Sequence, residues 1–165
     1  MYLAIYREEG IKKIENEVVI QDSELKSLNF NIKSNNYLLR SYIATESKAQ
    51  GGYLAIEADK EGYLLEGSVA TVAVLLKNGD FVVPPFERIL PGTTAIKILD
   101  FIENEVIPRS LVPTLKQVVR RDILISEAQR DASEVMFLGG EECVPVLHWD
   151  GKEISESKGP AAILF

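Results

Sequence analysis

Four short β-rich runs, residues 53–58, 63–66, 69–76 and 81–83, are cut apart by Asp59-Lys60-Glu61-Gly62, Gly67-Ser68 and Asn78-Gly79. Each run is dominated by aliphatic or aromatic residues and each break holds turn formers, so this stretch predicts strands joined by tight connections. Asn78-Gly79 is a strong signal for a type I′ hairpin, and the segment as a whole predicts an antiparallel meander. The longest apolar run, Val69 to Leu76, is interrupted only by Thr71 and is far too short to cross a bilayer.

Helical patterns flank these strands. From Asn36 to about Gln50 the residues Leu38, Leu39, Tyr42 and Ile43 recur at helical spacing, and Gly51-Gly52 supplies the stop. Pro84-Pro85 and Pro91 punctuate a loop, after which Ile96, Leu99, Ile102 and Val106 fall on one helical face before Pro108 ends it. A strand at about 115–120, a short helix at 122–129, strands near 134–138 and 144–149, and a turn at Asp150-Gly151 complete the order. Strands and helices in this succession, without repeats or low-complexity tracts, predict an α+β fold with antiparallel strands and packed helices.

The N-terminal part differs. Residues 2–6 and 16–20 read as two short strands around Glu8-Glu9-Gly10, followed by a polar connector over 21–29. Both ends are apolar, Met-Tyr-Leu-Ala-Ile-Tyr at the start and Ala-Ala-Ile-Leu-Phe165 at the finish, whereas domains normally start and stop in polar residues. The expectation is a chain cut from a larger one, with residues 1–30 as connector and short strands and 31–165 as the main domain.

Charge and composition exclude several function classes. The 165 residues hold 18 basic and 25 acidic side chains, a net charge of −7, which leaves no basic face to neutralise a run of phosphates and argues against nucleic acid as the ligand. A single Cys (Cys143) and a single His (His148) exclude a disulfide framework and the usual zinc centres, so no metal is expected. Met1 is followed by neither a basic stretch nor a signal-type apolar run, which predicts a reducing, cytoplasmic setting and no membrane partner.

Three signals carry possible chemistry. Lys33, in Phe30-Asn31-Ile32-Lys33-Ser34-Asn35-Asn36-Tyr37, precedes a helix, although most lysines are solvated surface charges. Glu66 ends a strand before Gly67-Ser68, where a carboxylate can face a cleft or serve as a polar turn residue. Gly92-Thr93-Thr94 opens the second helix, where amides and hydroxyls can hold a phosphate, although an ordinary N-cap explains the same residues. Cys143, beside Val144-Pro145, reads as a packed thiol, and His148, between Leu147 and Trp149, as structural.

Taken in order, Ile32-Lys33-Ser34-Asn35-Asn36-Tyr37-Leu38, Leu65-Glu66-Gly67-Ser68, Pro84-Pro85-Phe86-Glu87-Arg88-Ile89-Leu90-Pro91-Gly92-Thr93-Thr94-Ala95, Glu134-Val135-Met136-Phe137-Leu138-Gly139, Pro145-Val146 and Trp149-Asp150-Gly151 resemble the class IV aminotransferases. These fold type IV pyridoxal-phosphate enzymes include branched-chain and D-amino-acid aminotransferases and aminodeoxychorismate lyases. The likeness runs from about Asn31 to Pro160 and covers the family's large C-terminal domain, so it implies that the N-terminal small domain is absent. It implies that Lys33 bonds the cofactor aldehyde and shuttles the α-proton, that Glu66 pairs with the pyridine nitrogen, and that Gly92, Thr93 and Thr94 hold the cofactor phosphate. Ser68 falls where the family often has a small hydroxyl residue near the cofactor.

Two departures stand out. Gly139-Gly140-Glu141-Glu142-Cys143 has no hydroxyl where relatives usually have one, and Thr71 stands where many have Asn. The family's phosphate-binding arginine belongs to the missing domain. The resemblance thus implies a cofactor-binding domain of a branched-chain-type aminotransferase acting on an amino acid and a 2-oxo acid, and a homodimer. A lyase releasing pyruvate, or a truncated dimerising homologue without catalysis, are the alternatives.

Overall fold

In the strand β3 (Thr71–Leu76) every side chain is buried, so neither face of the strand can be polar and both must be covered by other elements. A computed structural model of the chain describes residues 38–49, 51–140, 142–155 and 159–165. The connector and strands expected over 1–30 lie outside the described residues, as does Lys33.

The helix α1 (Leu38–Ala49) ends as its glycines require. Gly51 has φ +85°, its N–H bonds the Lys48 carbonyl at 3.0 Å, and the Gly52 N–H bonds the Ser47 carbonyl at 2.7 Å, a Schellman closure. The strands β1 (Ile56–Ala58) and β2 (Leu64–Gly67) pair antiparallel in a small sheet of their own. The meander is therefore interrupted: β3 pairs not with β2 but with β4 (Asp80–Val83) and β6 (Ala132–Gly139). With a strand on each side and both faces covered, β3 is the centre of its sheet.

The β3–β4 turn also departs from the type I′ expectation. Gly79 has φ +100°, but Asn78 is not left-handed, and the Gly79 N–H bonds the Leu76 carbonyl at 2.9 Å. The connection is a three-residue loop closed by a left-handed glycine, a hairpin form that needs only one positive φ. Asp150-Gly151, with φ of 48° and 69°, supplies the two positive values of a type I′ turn between β8 (His148–Trp149) and β9 (Lys152–Glu153).

From β4 the chain passes through α2 (Thr93–Phe101) and a π-helical turn (Ile102–Val106) before β5 (Gln117–Arg120) returns parallel to β4. That connection is long enough to carry the chain back to the same end of the sheet, which is why this pair is parallel while the rest are antiparallel. The five-stranded order is β5-β4-β3-β6-β7, with β7 (Glu142–Pro145) at the other edge. The single expected strand at 144–149 is thus two, β7 and β8.

Period-two alternation divides the core between the two faces. Val72, Val74, Val82, Val135 and Phe137 pack with Ile123, Ile125 of α3 (Ile125–Asp131) and Trp149. Ala73, Leu75, Phe81, Val83, Met136 and Leu138 pack with Ala95 and Leu99 of α2 and with Ile102 and Val106. Arg88 anchors the loop between β4 and α2: its guanidinium pairs with Asp59 and Asp122 and lies 5.8 Å from the Tyr63 ring centroid.

The sequence reading placed no helix at the C-terminus, yet α4 (Pro160–Leu164) packs there. Buried Glu134 on β6 explains it, accepting the Ala161 N–H at 3.1 Å and the Ala162 N–H at 3.0 Å, an anion at a helix N-terminus. Gly159 permits the approach, because a Cβ there would fall 2.2 Å from the Glu134 carboxyl carbon. Replacement Glu134→Ala removes both charge-assisted bonds and is expected to cost about 2–3 kcal/mol, with Glu134→Gln losing less. Urea denaturation measures this, and an unchanged midpoint in Glu134→Ala contradicts the clamp.

Candidate cofactor site

Antiparallel register brings the start of β3 against the end of β6, with Thr71 opposite Leu138. A tight turn in which the Gly67 N–H bonds the Ala70 carbonyl at 2.7 Å folds the end of β2 onto the same place. No other residue suits position 67, since a Cβ would fall 2.2 Å from the Phe137 ring. The α2 N-terminus closes the opposite side. The result is a cavity of about 310 Å³ lined by Glu66, Thr71, Gly92, Thr93, Thr94 and Arg40, among others. Its size lies at the lower end of the roughly 300–1,000 Å³ of small-ligand sites.

Glu66 is 4% exposed, so its charge needs partners inside the protein. Arg40 Nη2 donates to Oε1 at 2.5 Å, and the Leu90 N–H makes a longer contact of 3.4 Å with Oε2. Across the cavity, α2 begins at Thr93 with Gly92 as its cap residue, and Gly92 offers no side-chain hydrogen bond. The first intrahelical bond runs from the Ile96 N–H to the Gly92 carbonyl at 3.0 Å, so the amides before it have no carbonyl within the helix. Those amides and the helix dipole favour an anion. A Cβ on Gly92 would sit 3.1 Å from Thr71 Oγ1, which makes the glycine a close-packed part of the wall.

The expected site residues therefore fall into three groups. Glu66, Gly92, Thr93 and Thr94 meet in one cavity. Thr94 Oγ1 donates to the Gly140 carbonyl at 2.6 Å, which draws the β6–β7 turn against α2 and commits the hydroxyl proton to the protein. Ser68 does not line the cavity. It is wholly buried, its N–H bonds the Ala55 carbonyl at 3.1 Å, and its hydroxyl has no partner among the described residues. Lys33 lies outside the described residues.

Arg40 was not singled out from the sequence. The signal was present, because Arg40, Ile43 and Ser47 are spaced as one face of a helix, and Ile43 and Ser47 are 1% and 0% exposed. A cation on that face has to find a buried partner. The Leu90 amide and Gly140 carbonyl belong to the backbone and leave no residue signal.

Cys143 is a partly buried thiol at the edge of the second core cluster. Burial, with the Glu134 charge adding to it, pushes the Cys143 thiol up to about 12, so it stays neutral and unreactive through the physiological range. Among the described residues no cluster of His, Cys, Asp and Glu can hold a metal ion, and no helix is long and apolar enough to cross a membrane.

A family model described as amino-transferase class IV matches residues 6–149. The chain belongs to the class IV aminotransferase family. It is 31% identical over 156 residues to a chloroplastic D-amino-acid transaminase of Arabidopsis thaliana, covering 93% of this chain and 39% of that protein. Its fold is similar to that of the branched-chain aminotransferase of the archaeon Thermoproteus uzoniensis, with a TM-score of 0.72, 23% identity, and coverage of 88% of this chain and 48% of the other. The branched-chain amino acid aminotransferase of Thermobaculum terrenum in its pyridoxal-phosphate form gives a TM-score of 0.66 at 22% identity, over 79% and 40% of the two chains. The chain thus spans about two fifths to one half of the length of these relatives. The α+β fold expected from the sequence is the fold these structures share.

Proposed function

We propose that the cavity is the pyridoxal-phosphate site of an aminotransferase that moves an amino group between an amino acid and a 2-oxo acid. The observation that carries this reading is the placing of a buried carboxylate, Glu66, in the same cavity as the N-terminus of α2. Such a pair suits a ligand with an anionic group at one end and a protonated ring nitrogen at the other. The donor set fits pyridoxal phosphate on both counts.

In this reading the amides at Thr93 and Thr94 bind the phosphate, with charge-assisted hydrogen bonds about twice as strong as neutral ones. Glu66 accepts a hydrogen bond from the ring nitrogen and favours its protonated form. When bound, the cofactor supplies an electron sink for the carbon that loses its proton. Lys33, by the family resemblance, anchors the cofactor aldehyde and moves that proton as base and then acid. Residues 31–165 then make up the large domain, and the small domain of the family lies outside them.

For the substrate we favour an apolar amino acid of the branched-chain or D-amino-acid type. The support is a second hollow of about 330 Å³ that shares Val69, Ala70, Gly139 and Gly140 with the cofactor cavity and adds Tyr53, Leu54, Phe137 and Val144. The relatives named above are transaminases, so the lyase reading has no comparable support. A reducing aqueous compartment remains part of the proposal, either the cytoplasm or an organelle such as that of the chloroplastic relative.

Two outcomes are expected. Borohydride reduction with pyridoxal phosphate labels Lys33 in preference to other lysines, and peptide mapping that finds the label spread evenly over the lysines refutes the assignment. Self-association as a homodimer is also expected, since Phe101, Ile163 and Leu164 are exposed apolar residues on α2 and α4. Light scattering that gives a monodisperse monomer at tens of micromolar contradicts it.

A further inference from the structure

Arg40 has no role in the reading so far, yet the structure sets its guanidinium on Glu66. It stands near the start of α1, and its side chain is 29% exposed while that of Glu66 is 5% exposed. Arg40 Nη2 lies 2.5 Å from Glu66 Oε1, a charge-assisted ion pair. A salt bridge on the open surface contributes little and implies nothing about a site. This one differs, because the carboxylate is buried and both residues line the cavity. Arg40 and Glu66 are the charged residues among the described lining.

We infer that Arg40 is a positioning residue that moderates the charge of Glu66, so that a cofactor ring nitrogen meets a guanidinium-paired carboxylate and not a bare anion. The inference rests on the role given to Glu66 under the proposed function. A carboxylate offers about four acceptor positions, so the bonds to Arg40 and Leu90 coexist with a further one to a ring nitrogen. Each bond fixes the plane of the carboxylate, and the guanidinium draws charge from the oxygens. A neighbouring cation makes any acceptor a weaker base, so the ring nitrogen holds its proton less tightly than beside an unpaired glutamate. The two contacts also link α1 and the loop before α2 through one side chain.

The test uses the full chain loaded with pyridoxal phosphate labelled with ¹⁵N in the ring, whose ¹⁵N chemical shift reports ring protonation against pH. Arg40→Gln keeps a hydrogen-bond donor near Glu66 and removes the charge. It is expected to raise the midpoint for loss of the ring proton by one pH unit or more, a tenfold tighter hold. Arg40→Lys restores the charge and is expected to return the midpoint to the wild-type value. A midpoint in Arg40→Gln equal to or below that of the wild type overturns the inference while leaving the role of Glu66 standing. A wild-type chain that takes up no pyridoxal phosphate overturns both. Should Arg40→Gln fail to fold, the guanidinium ¹⁵N–H signals of Arg40 in the unmodified chain decide the matter. They are expected to shift when the cofactor is added, and unshifted signals overturn the inference.

Discussion

A strand covered on both faces governs this structure. Because β3 has no side that water can wet, other elements must cover it above and below, and β4 and β6 flank it in the sheet. The antiparallel β3–β6 register sets the start of one strand beside the end of the other, with Thr71 facing Leu138. The described residues of the proposed site, Glu66, Gly92, Thr93 and Thr94, meet at that edge. The tight turn at Gly67 carries Glu66 there, the loop anchored by Arg88 delivers Leu90 and Gly92, and the Thr94 hydroxyl holds the β6–β7 turn closed.

The site is built from two electrostatic opposites held apart by this packing. A buried carboxylate is costly unless it is paired and hydrogen-bonded, and Glu66 is both, through Arg40 and Leu90. The N-terminus of α2 offers amide donors that Gly92 leaves uncapped. In the proposed reading one wall therefore receives an anion and the other a cation or a hydrogen-bond donor. Glu134 uses the same physics for structure: its carboxylate meets the N-terminus of α4, and the ligand is the protein itself.

Much of this was legible in the residues, and what was not has physical causes. The short β-rich runs and the glycine stop after α1 announced most elements, because local burial and turn chemistry decide them. Which strands pair was not legible: β2 and β3 are neighbours in sequence but lie in different sheets, and the parallel β4–β5 pair depends on a crossover. Asn78-Gly79 shows the limit of a dipeptide signal, since the left-handed conformation at Gly79 alone suffices there. Helix α4 was missed because its stabilising partner, Glu134, is 27 residues away from Ala161. Within the proposed site, Glu66 and Gly92-Thr93-Thr94 stood out as residues and took their expected roles from the family resemblance, whereas Arg40 required knowing which face of α1 is buried. Ser68 was expected near the cofactor, but it is wholly buried and does not line the cavity.

The central claim is that Glu66 and the start of α2 receive the two ends of one ligand. Amide chemical shifts of the ¹⁵N-labelled chain, followed as pyridoxal phosphate is added, test it most directly. The account predicts that the largest shifts fall on Thr93, Thr94 and Ala95 at one end and on Glu66, Gly67 and Leu90 at the other, with a single saturating curve for both groups. Shifts scattered over the exposed lysines, or two groups that saturate at different concentrations, would contradict it.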